Sequence, residues 1–145
     1  MQHTTKHLMP RSALRRGLCF ALLAGASLAQ AETARDFLGR FEAEARSQAT
    51  GFSASASRGA SFFKVAHGND WSCASCHSDN PATTGKHART GKPIEPLAPA
   101  ANADRFSRAD RVEKWFKRNC GDVLGRACTP AEKADVVAWL MTVKN

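Results

Sequence analysis

Apolar residues recur at every third or fourth position in several stretches of this chain, which is the period of an α-helix with one buried face. The first such stretch is residues 33–50. Thr33, with Asp36 three positions later, forms a capping box and predicts that the helix begins there. The face that this helix would bury carries Phe37, Leu38, Phe41 and Ala45.

Two shorter helical segments are predicted in the middle of the chain. In residues 56–67, Gly59 and Phe63 share a face, and a glycine there lets another helix or an aromatic ring come close. Residues 73–78 are expected to form a single helical turn. Residues 80–106 are rich in proline and glycine and are predicted to be irregular, and a loop of this length is usually functional or disordered.

A further amphipathic helix is predicted to begin at Ser107, with Asp110 as its capping partner, and to end at Cys120-Gly121. Its apolar face carries Val112, Trp115, Phe116 and Asn119. An asparagine therefore falls on an otherwise apolar stripe, where its amide needs a polar partner.

The last helix is predicted to start at residues 129–132, Thr-Pro-Ala-Glu, which supply an N-cap, a proline at N1 and an acid at N3. It should run to about Val143 and bury Val136, Val137, Leu140 and Met141, with Trp139 beside them. Since no segment shows the alternation of a strand, the fold class predicted is all-α, a small helical domain.

Residues 1–31 have the features of a secretory signal peptide. Basic residues without an acid precede an apolar run at 17–28, and Ala29-Gln30-Ala31 offers a small-x-small cleavage site. The apolar run is too short to span a bilayer. Cleavage after Ala31 would leave residues 32–145 as one small domain in the periplasm, and Cys19 would leave with the signal.

The basic character of the chain belongs partly to this signal. The chain has 21 Lys and Arg against 13 Asp and Glu, a formal net charge of +8. The signal holds four of the basic residues and none of the acidic ones, so the domain that remains carries +4. No basic run with interleaved aromatics is present, so nucleic-acid binding is not predicted.

Cys73, Cys76 and His77 form the motif C-x-x-C-H, the attachment signature of c-type haem. Two thiols can add across the two vinyl groups of the haem, and the adjacent histidine can bind the iron. A redox C-x-x-C would need a βαβ context, and a zinc site would need a second pair of ligands nearby. Neither pattern is present, so the motif predicts one covalent haem c, with an edge covered by residues 80–106.

The residues alone leave the second axial ligand of the iron open. Met141 is the methionine of the predicted mature domain, but it lies on the apolar face of the last helix. His67 and His87 would each give a bis-histidine haem. Asn119 could instead direct its amide oxygen at the iron. A permanent histidine or methionine ligand would make the protein a plain electron carrier.

Cys120 and Cys128 are the second pair of cysteines in the predicted exported domain. In an oxidising compartment such a pair is expected to form a disulfide. The bridge would close a short loop between the last two helices and contribute roughly 2–3 kcal/mol to stability. It would also fix the end of the helix that carries Asn119.

Residues 89–140 closely resemble the SHP-type cytochromes c, the sphaeroides haem protein family. The likeness rests on the motifs RNC, GR-x-CT and EKAD-x-x-AWL, on C-x-x-C-H, and on the helix with Arg58-Gly59 and Phe63. It covers most of the domain and is weak over residues 32–50. The resemblance implies a fold similar to class I cytochrome c around one haem.

The same resemblance implies roles for individual residues. Haem would be linked to Cys73 and Cys76, with His77 as proximal ligand. The asparagine of the RNC motif, here Asn119, would be the distal ligand, followed by a disulfide between Cys120 and Cys128.

The family's function would follow from that unusual ligand. The resemblance implies a high-spin cytochrome that accepts electrons and binds oxygen or nitric oxide once reduction releases Asn119. Its redox partner would be a dihaem cytochrome c linked to a membrane cytochrome b. An enzyme that converts nitric oxide or oxygen is a further hypothesis.

Overall fold

The computed structural model describes residues 1–2 and 31–144, so the predicted signal peptide, with Cys19, lies almost wholly outside the described residues. The bounds in chain order are α1 (Ala34–Gln48), α2 (Ala56–Lys64), α3 (Ala74–His77), β1 (Gly85–Lys86), β2 (Pro93–Ile94), a 3-10 helix (Ala103–Phe106), α4 (Ala109–Leu124) and α5 (Pro130–Leu140). The all-α fold class is confirmed. In these two ranges, no helix is long and apolar enough to cross a membrane.

The hydrophobic core lies where α5 packs against both α1 and α2. Phe37, Phe41, Phe63 and Leu140 are at most 1% exposed. Full burial of a side chain of this size contributes about 1.5–3 kcal/mol. Phe116 brings α4 to the same core, because its ring meets Phe41 nearly edge-on at 5.5 Å between centroids.

The helix starts predicted at Thr33 and Thr129 are confirmed, and each has a capping box. The Thr33 hydroxyl accepts from the Asp36 N–H at 3.4 Å, and the Asp36 carboxylate accepts from the Thr33 N–H at 2.8 Å. Thr129 and Glu132 repeat this exchange at the start of α5, at 3.2 and 2.8 Å. Each box lies within a single turn of the chain, so local sequence determines it.

The predicted ends of α4 are wrong. The helix begins after Arg108, because the Ser107 hydroxyl donates to the Asp104 carbonyl at 2.9 Å and belongs to the preceding 3-10 helix. It continues beyond Cys120-Gly121 to Leu124. The residue that ends it is Gly125, which has a left-handed backbone with φ of 71°.

Other boundaries also differ from the prediction. Helices α2 and α5 each end three residues earlier than expected. Residues 80–106 are more ordered than expected, because β1 and β2 pair antiparallel around a turn that contains Gly91. Strands of two residues are too short to show an alternating pattern.

A close crossing joins α2 to α5. A Cβ at Gly59 would lie 2.0 Å from the Asp135 carbonyl oxygen, so only glycine allows this approach. The buried Asp135 carboxylate accepts two hydrogen bonds of 2.8 Å from the Arg58 guanidinium and one of 2.7 Å from the Ser55 N–H. Steric fit and a fully paired carboxylate together set the angle between the two helices.

Gly59→Ala should therefore lower the free energy of unfolding by about 1–3 kcal/mol, the usual cost of overpacking a close contact. The matched control is Gly39→Ala, because a Cβ at Gly39 in α1 would meet nothing within 4 Å. That control should stabilise the helix by up to about 1 kcal/mol. Chemical denaturation of the haem-loaded proteins measures both, and equal stabilities for the two variants would contradict the close crossing.

Candidate functional site

The described part of the chain encloses a cavity of about 820 Å³ beside the core. Residues from α2, α3, α4, α5 and the hairpin all contribute to its wall. Much of this wall is apolar, including Phe63, Trp71, Leu97, Val112, Phe116 and Leu140. The volume lies in the range of pockets that bind large organic ligands.

The two cysteines of C-x-x-C-H lie at either end of one helical turn and both line the cavity. Neither forms a disulfide, so both sulfur atoms are available to a ligand in the cavity. Burial raises the pKa of the Cys73 thiol to about 11. The β-hairpin packs closely on the turn, because a Cβ at Gly85 would lie 2.3 Å from the Cys76 carbonyl oxygen.

His77 lines the same cavity and is partly buried. Burial, aided by the nearby positive charge of Arg105, lowers the pKa of His77 to about 4. The imidazole is therefore neutral at physiological pH and keeps a lone pair that can bind a metal. None of the described residues hydrogen-bonds to this ring.

Asn119 lies on the inward stripe of α4 and also lines the cavity. Its side-chain amide is partly buried, and within the described residues it makes no hydrogen bond. Its amide atoms are not fully buried, so they remain accessible to a ligand. The geometry thus brings Asn119 and His77 to one cavity, each with its polar side-chain atoms unengaged by the protein.

The end of α4 that follows Asn119 is held in place from two sides. The Asn69 amide donates to the Asp122 carbonyl at 3.0 Å and to the Gly121 carbonyl at 3.4 Å, and the Asn69 N–H donates to the Val123 carbonyl at 3.2 Å. A disulfide links Cys120 to Cys128, with a Cα–Cα distance of 5.5 Å. Asn69 escaped the sequence analysis because its contact lies some fifty residues away in the chain.

The other candidate ligands are placed differently. The His67 Nε2 lies 2.7 Å from the Phe62 carbonyl oxygen, and its ring meets that of Phe62 at an angle of 46° with 4.5 Å between centroids. His67 itself does not line the cavity. Met141 packs against the hydrophobic core and does not line the cavity.

His87 does line the cavity. Its Nδ1 accepts hydrogen bonds from the N–H groups of Arg89 and Thr90, both at 3.3 Å. In a neutral imidazole with an accepting Nδ1, the proton sits on Nε2. With Nδ1 occupied in this way, the ring offers an N–H at Nε2 and not a lone pair.

Trp115 departs from the apolar face that the sequence predicts for α4. Val112 is buried, but Trp115 is 43% exposed and forms part of the rim of the cavity. The i, i+3, i+4 spacing defines a broad stripe, and only the tertiary packing decides which of its edges reaches solvent.

Basic side chains gather at this rim. Arg89, Lys92, Arg105 and Arg118 line the cavity, against Glu95 and Asp122 on the acidic side. The Arg105 guanidinium donates to the Pro96 carbonyl at 2.8 Å, which holds it beside His77. A surplus of positive charge suits a ligand that carries carboxylates. No local sequence signal marks Arg105 for this position.

Comparison with known proteins assigns the fold and the cofactor. A family model described as a domain of unknown function, DUF1924, matches residues 49–140. The cytochrome c-type protein SHP of Cereibacter sphaeroides is 44% identical over 83% of this chain and 92% of its own length. Cytochrome c'' of Methylophilus methylotrophus is 50% identical over 55% of this chain, and the match spans 56% of that protein.

Solved structures agree with these matches. Oxidised cytochrome c'' of Methylophilus methylotrophus gives a TM-score of 0.70 at 38% identity, over 77% of this chain and 95% of that one. Oxidised SHP, described as an oxygen-binding cytochrome c, gives 0.67 at 42% identity, over 76% and 96%.

The chain belongs to the SHP-type cytochrome family. As a c-type cytochrome of this family it carries one covalently bound haem. The cavity of this SHP-type cytochrome suits that group: its walls are apolar, two free thiols and a neutral imidazole border it, and the rim is basic.

The two cysteine pairs of this SHP-type cytochrome should respond differently to removal. Cys73→Ser with Cys76→Ser should abolish haem staining on a denaturing gel, because no thioether can form. The matched control, Cys120→Ser with Cys128→Ser, should keep the stain and lose roughly 2–3 kcal/mol of stability, the contribution of a short closed loop. Covalent haem in the first variant would contradict the assignment of Cys73 and Cys76.

Proposed function

We propose that this SHP-type cytochrome is an exported electron-transfer protein that binds small diatomic molecules, oxygen or nitric oxide, when Asn119 leaves the iron. The observation that carries this proposal is the shared cavity of His77 and Asn119, in which neither side chain has a hydrogen-bond partner among the described residues. Two relatives support it. SHP is described as oxygen-binding, and a solution structure of cytochrome c'' addresses haem-ligand detachment.

In the proposed site, each residue of the C-x-x-C-H turn has one task. Cys73 and Cys76 form the two thioethers, and His77 supplies its neutral imidazole as the proximal ligand. When bound, the haem would supply an iron that takes up and gives back one electron, with His77 and Asn119 as its candidate ligands from this chain. Arg105 and the other rim cations would neutralise the propionates of the haem.

Asn119 would act as a displaceable distal ligand. Its amide oxygen is a hard, weak donor that suits a harder, more highly charged cation better than a softer one. Asn119 is therefore expected to bind the ferric protein and to leave on reduction. Phe116 and Val112 on the same helix keep the surroundings apolar. This favours small diatomic ligands of low polarity over water and anions.

His87 favours a second candidate function, a plain electron carrier with a permanent histidine ligand, because it is the other imidazole at the cavity. The donors on its Nδ1 weigh against that role, since a ring turned this way offers N–H and not a lone pair. A third hypothesis is an enzyme that converts nitric oxide or oxygen. It would use the same displacement of Asn119, and measurable turnover would distinguish it from a protein that only binds these gases.

The location and the partner follow from the same proposal. A periplasmic protein would receive its haem after export and keep the bridge between Cys120 and Cys128 in an oxidising compartment. We propose a dihaem cytochrome c, linked to a membrane cytochrome b, as its electron donor.

Asn119→Ala should leave the haem attached but change the absorption spectrum of the ferric protein. The variant should also bind added imidazole at least about tenfold more tightly in the ferric state, since no internal ligand must first be displaced. Carbon monoxide and nitric oxide should bind the ferrous forms of the variant and the parent protein alike. Absorption spectra of both oxidation states, with and without these ligands, measure each effect.

His87→Ala and Met141→Leu serve as controls for that experiment. Both should keep the ferric spectrum and the imidazole affinity of the parent protein. A ferric spectrum unchanged in Asn119→Ala but altered in His87→Ala would overturn the proposal and assign the distal position to the histidine. A low-spin ferrous parent that ignores both gases would also exclude a displaceable ligand.

A further inference from the structure

The outer face of α4 carries a cluster of exposed basic residues around one exposed tryptophan. Arg111, Lys114, Trp115 and Arg118 follow one another at i, i+3, i+4 and i+7, and Lys117 lies beside them. All five are exposed. We call these five residues the α4 basic surface. It is continuous with the rim of the haem cavity, because Trp115 and Arg118 both line that cavity.

Trp115 is the apolar centre of the α4 basic surface. At 43% exposure it is a large ring left in solvent, with the Arg118 guanidinium 5.6 Å from its centroid. A tryptophan fixed by an arginine is typical of the few residues that carry most of the energy of a protein interface. Trp115 is both exposed to solvent and part of the cavity wall, so a partner seated here would touch the wall of the cofactor site.

The charge of the surface is largely uncompensated. Lys114 and Lys117 form no ion pair with any described residue, whereas Arg58, Arg108 and Arg126 each bind a carboxylate at 2.7–2.8 Å. The carboxylate nearest to Arg118 is that of Asp122 at 4.0 Å, and Asp122 also lies 3.3 Å from Arg89. One carboxylate is thus shared between two guanidinium groups, and the surface keeps a net positive charge.

We propose that the α4 basic surface is the place where this cytochrome exchanges electrons with a protein that presents an acidic patch. The inference rests on the proposed electron-transfer function and adds the surface and the charge of the partner. In each encounter the donor loses one electron and the cytochrome gains one. Complementary charge speeds such an encounter and orients the two proteins.

Nucleic acid and anionic lipid would be attracted by the same charges. The position of Trp115 favours a redox protein, because the ring belongs to the wall of the cavity that also holds His77. A partner docked there would contact a residue of the cavity wall directly, whereas a duplex or a lipid surface would gain nothing from that position.

Lys114→Glu and Arg35→Glu form a matched pair for the test, since each exchanges one exposed cation for an anion and changes the net charge by the same two units. Arg35 lies in the first turn of α1, which contributes no residue to the cavity wall. The haem-loaded ferric proteins are reduced anaerobically by flavodoxin hydroquinone, an acidic donor that gives up one electron to become the semiquinone. Stopped-flow absorbance at low and high salt gives the rate constants.

Lys114→Glu should lower the rate constant with flavodoxin at least about fivefold at low salt, and high salt should remove most of the difference. Arg35→Glu should change it by less than about twofold.

Two small reagents test the role of charge separately. With tris(phenanthroline)cobalt(III), a cationic oxidant of the ferrous protein, Lys114→Glu should react faster than the parent protein. Trp115→Ala leaves the charge unchanged. It should lower the rate constant for reduction by flavodoxin more than the rate constant for oxidation by hexacyanoferrate(III), a small anionic oxidant.

Equal responses of Lys114→Glu and Arg35→Glu would overturn the inference, because net charge and not this surface would then control the reaction. Ligand binding by the same ferrous variants separates the two proposals. If gases bind and the two variants respond equally, only the docking surface is wrong. If gases do not bind but Lys114→Glu alone slows flavodoxin, the surface stands and the ligand-binding proposal fails.

Discussion

The rest of the structure depends on one constraint, which is that the C-x-x-C-H turn and α4 must be held in place at the same cavity. The C-x-x-C-H turn and α4 both contribute residues to the wall of this cavity. Asn69 makes the direct link, since it precedes the turn by four residues and its amide and N–H cap the carbonyls at the end of α4. The disulfide at Cys120 ties that same end to the start of α5.

The layer of α1, α2 and α5 supplies the stiffness that this arrangement needs. Gly59 and the paired Asp135 lock α2 against α5, and Phe41 carries α1 to the inner side of α4 through Phe116. Helices α2 and α5 of this layer also supply apolar side chains to the cavity wall, among them Phe63 and Leu140, so the haem would complete the core as well as serve chemistry. Burial of ring surface against this wall is favourable by about 25 cal/mol per Å², which couples folding to the presence of the cofactor.

Sequence alone predicted those features that depend on residues close together in the chain. The capping boxes at Thr33 and Thr129 span four positions each, and the C-x-x-C-H motif spans five. Asn69, Arg105 and the exposed side of Trp115 depend instead on which distant segments meet. The start of α4 depends on a competing 3-10 turn. The role of Asn119 stays a prediction of residue chemistry and resemblance, to which the structure adds a shared cavity and an unengaged amide.

In the proposed function, Asn119 is a weak ligand near the firmly held end of α4. Because Asn69 and the disulfide hold the backbone beyond Asn119, the proposed departure of the amide would need only rotation about its own side-chain bonds and not movement of α4. Little conformational entropy would then be lost when the amide returned, so a donor of low intrinsic affinity could still occupy its position. Weak donor chemistry and a rigidly held helix end would thus complement each other in a ligand that must be displaced and rebound.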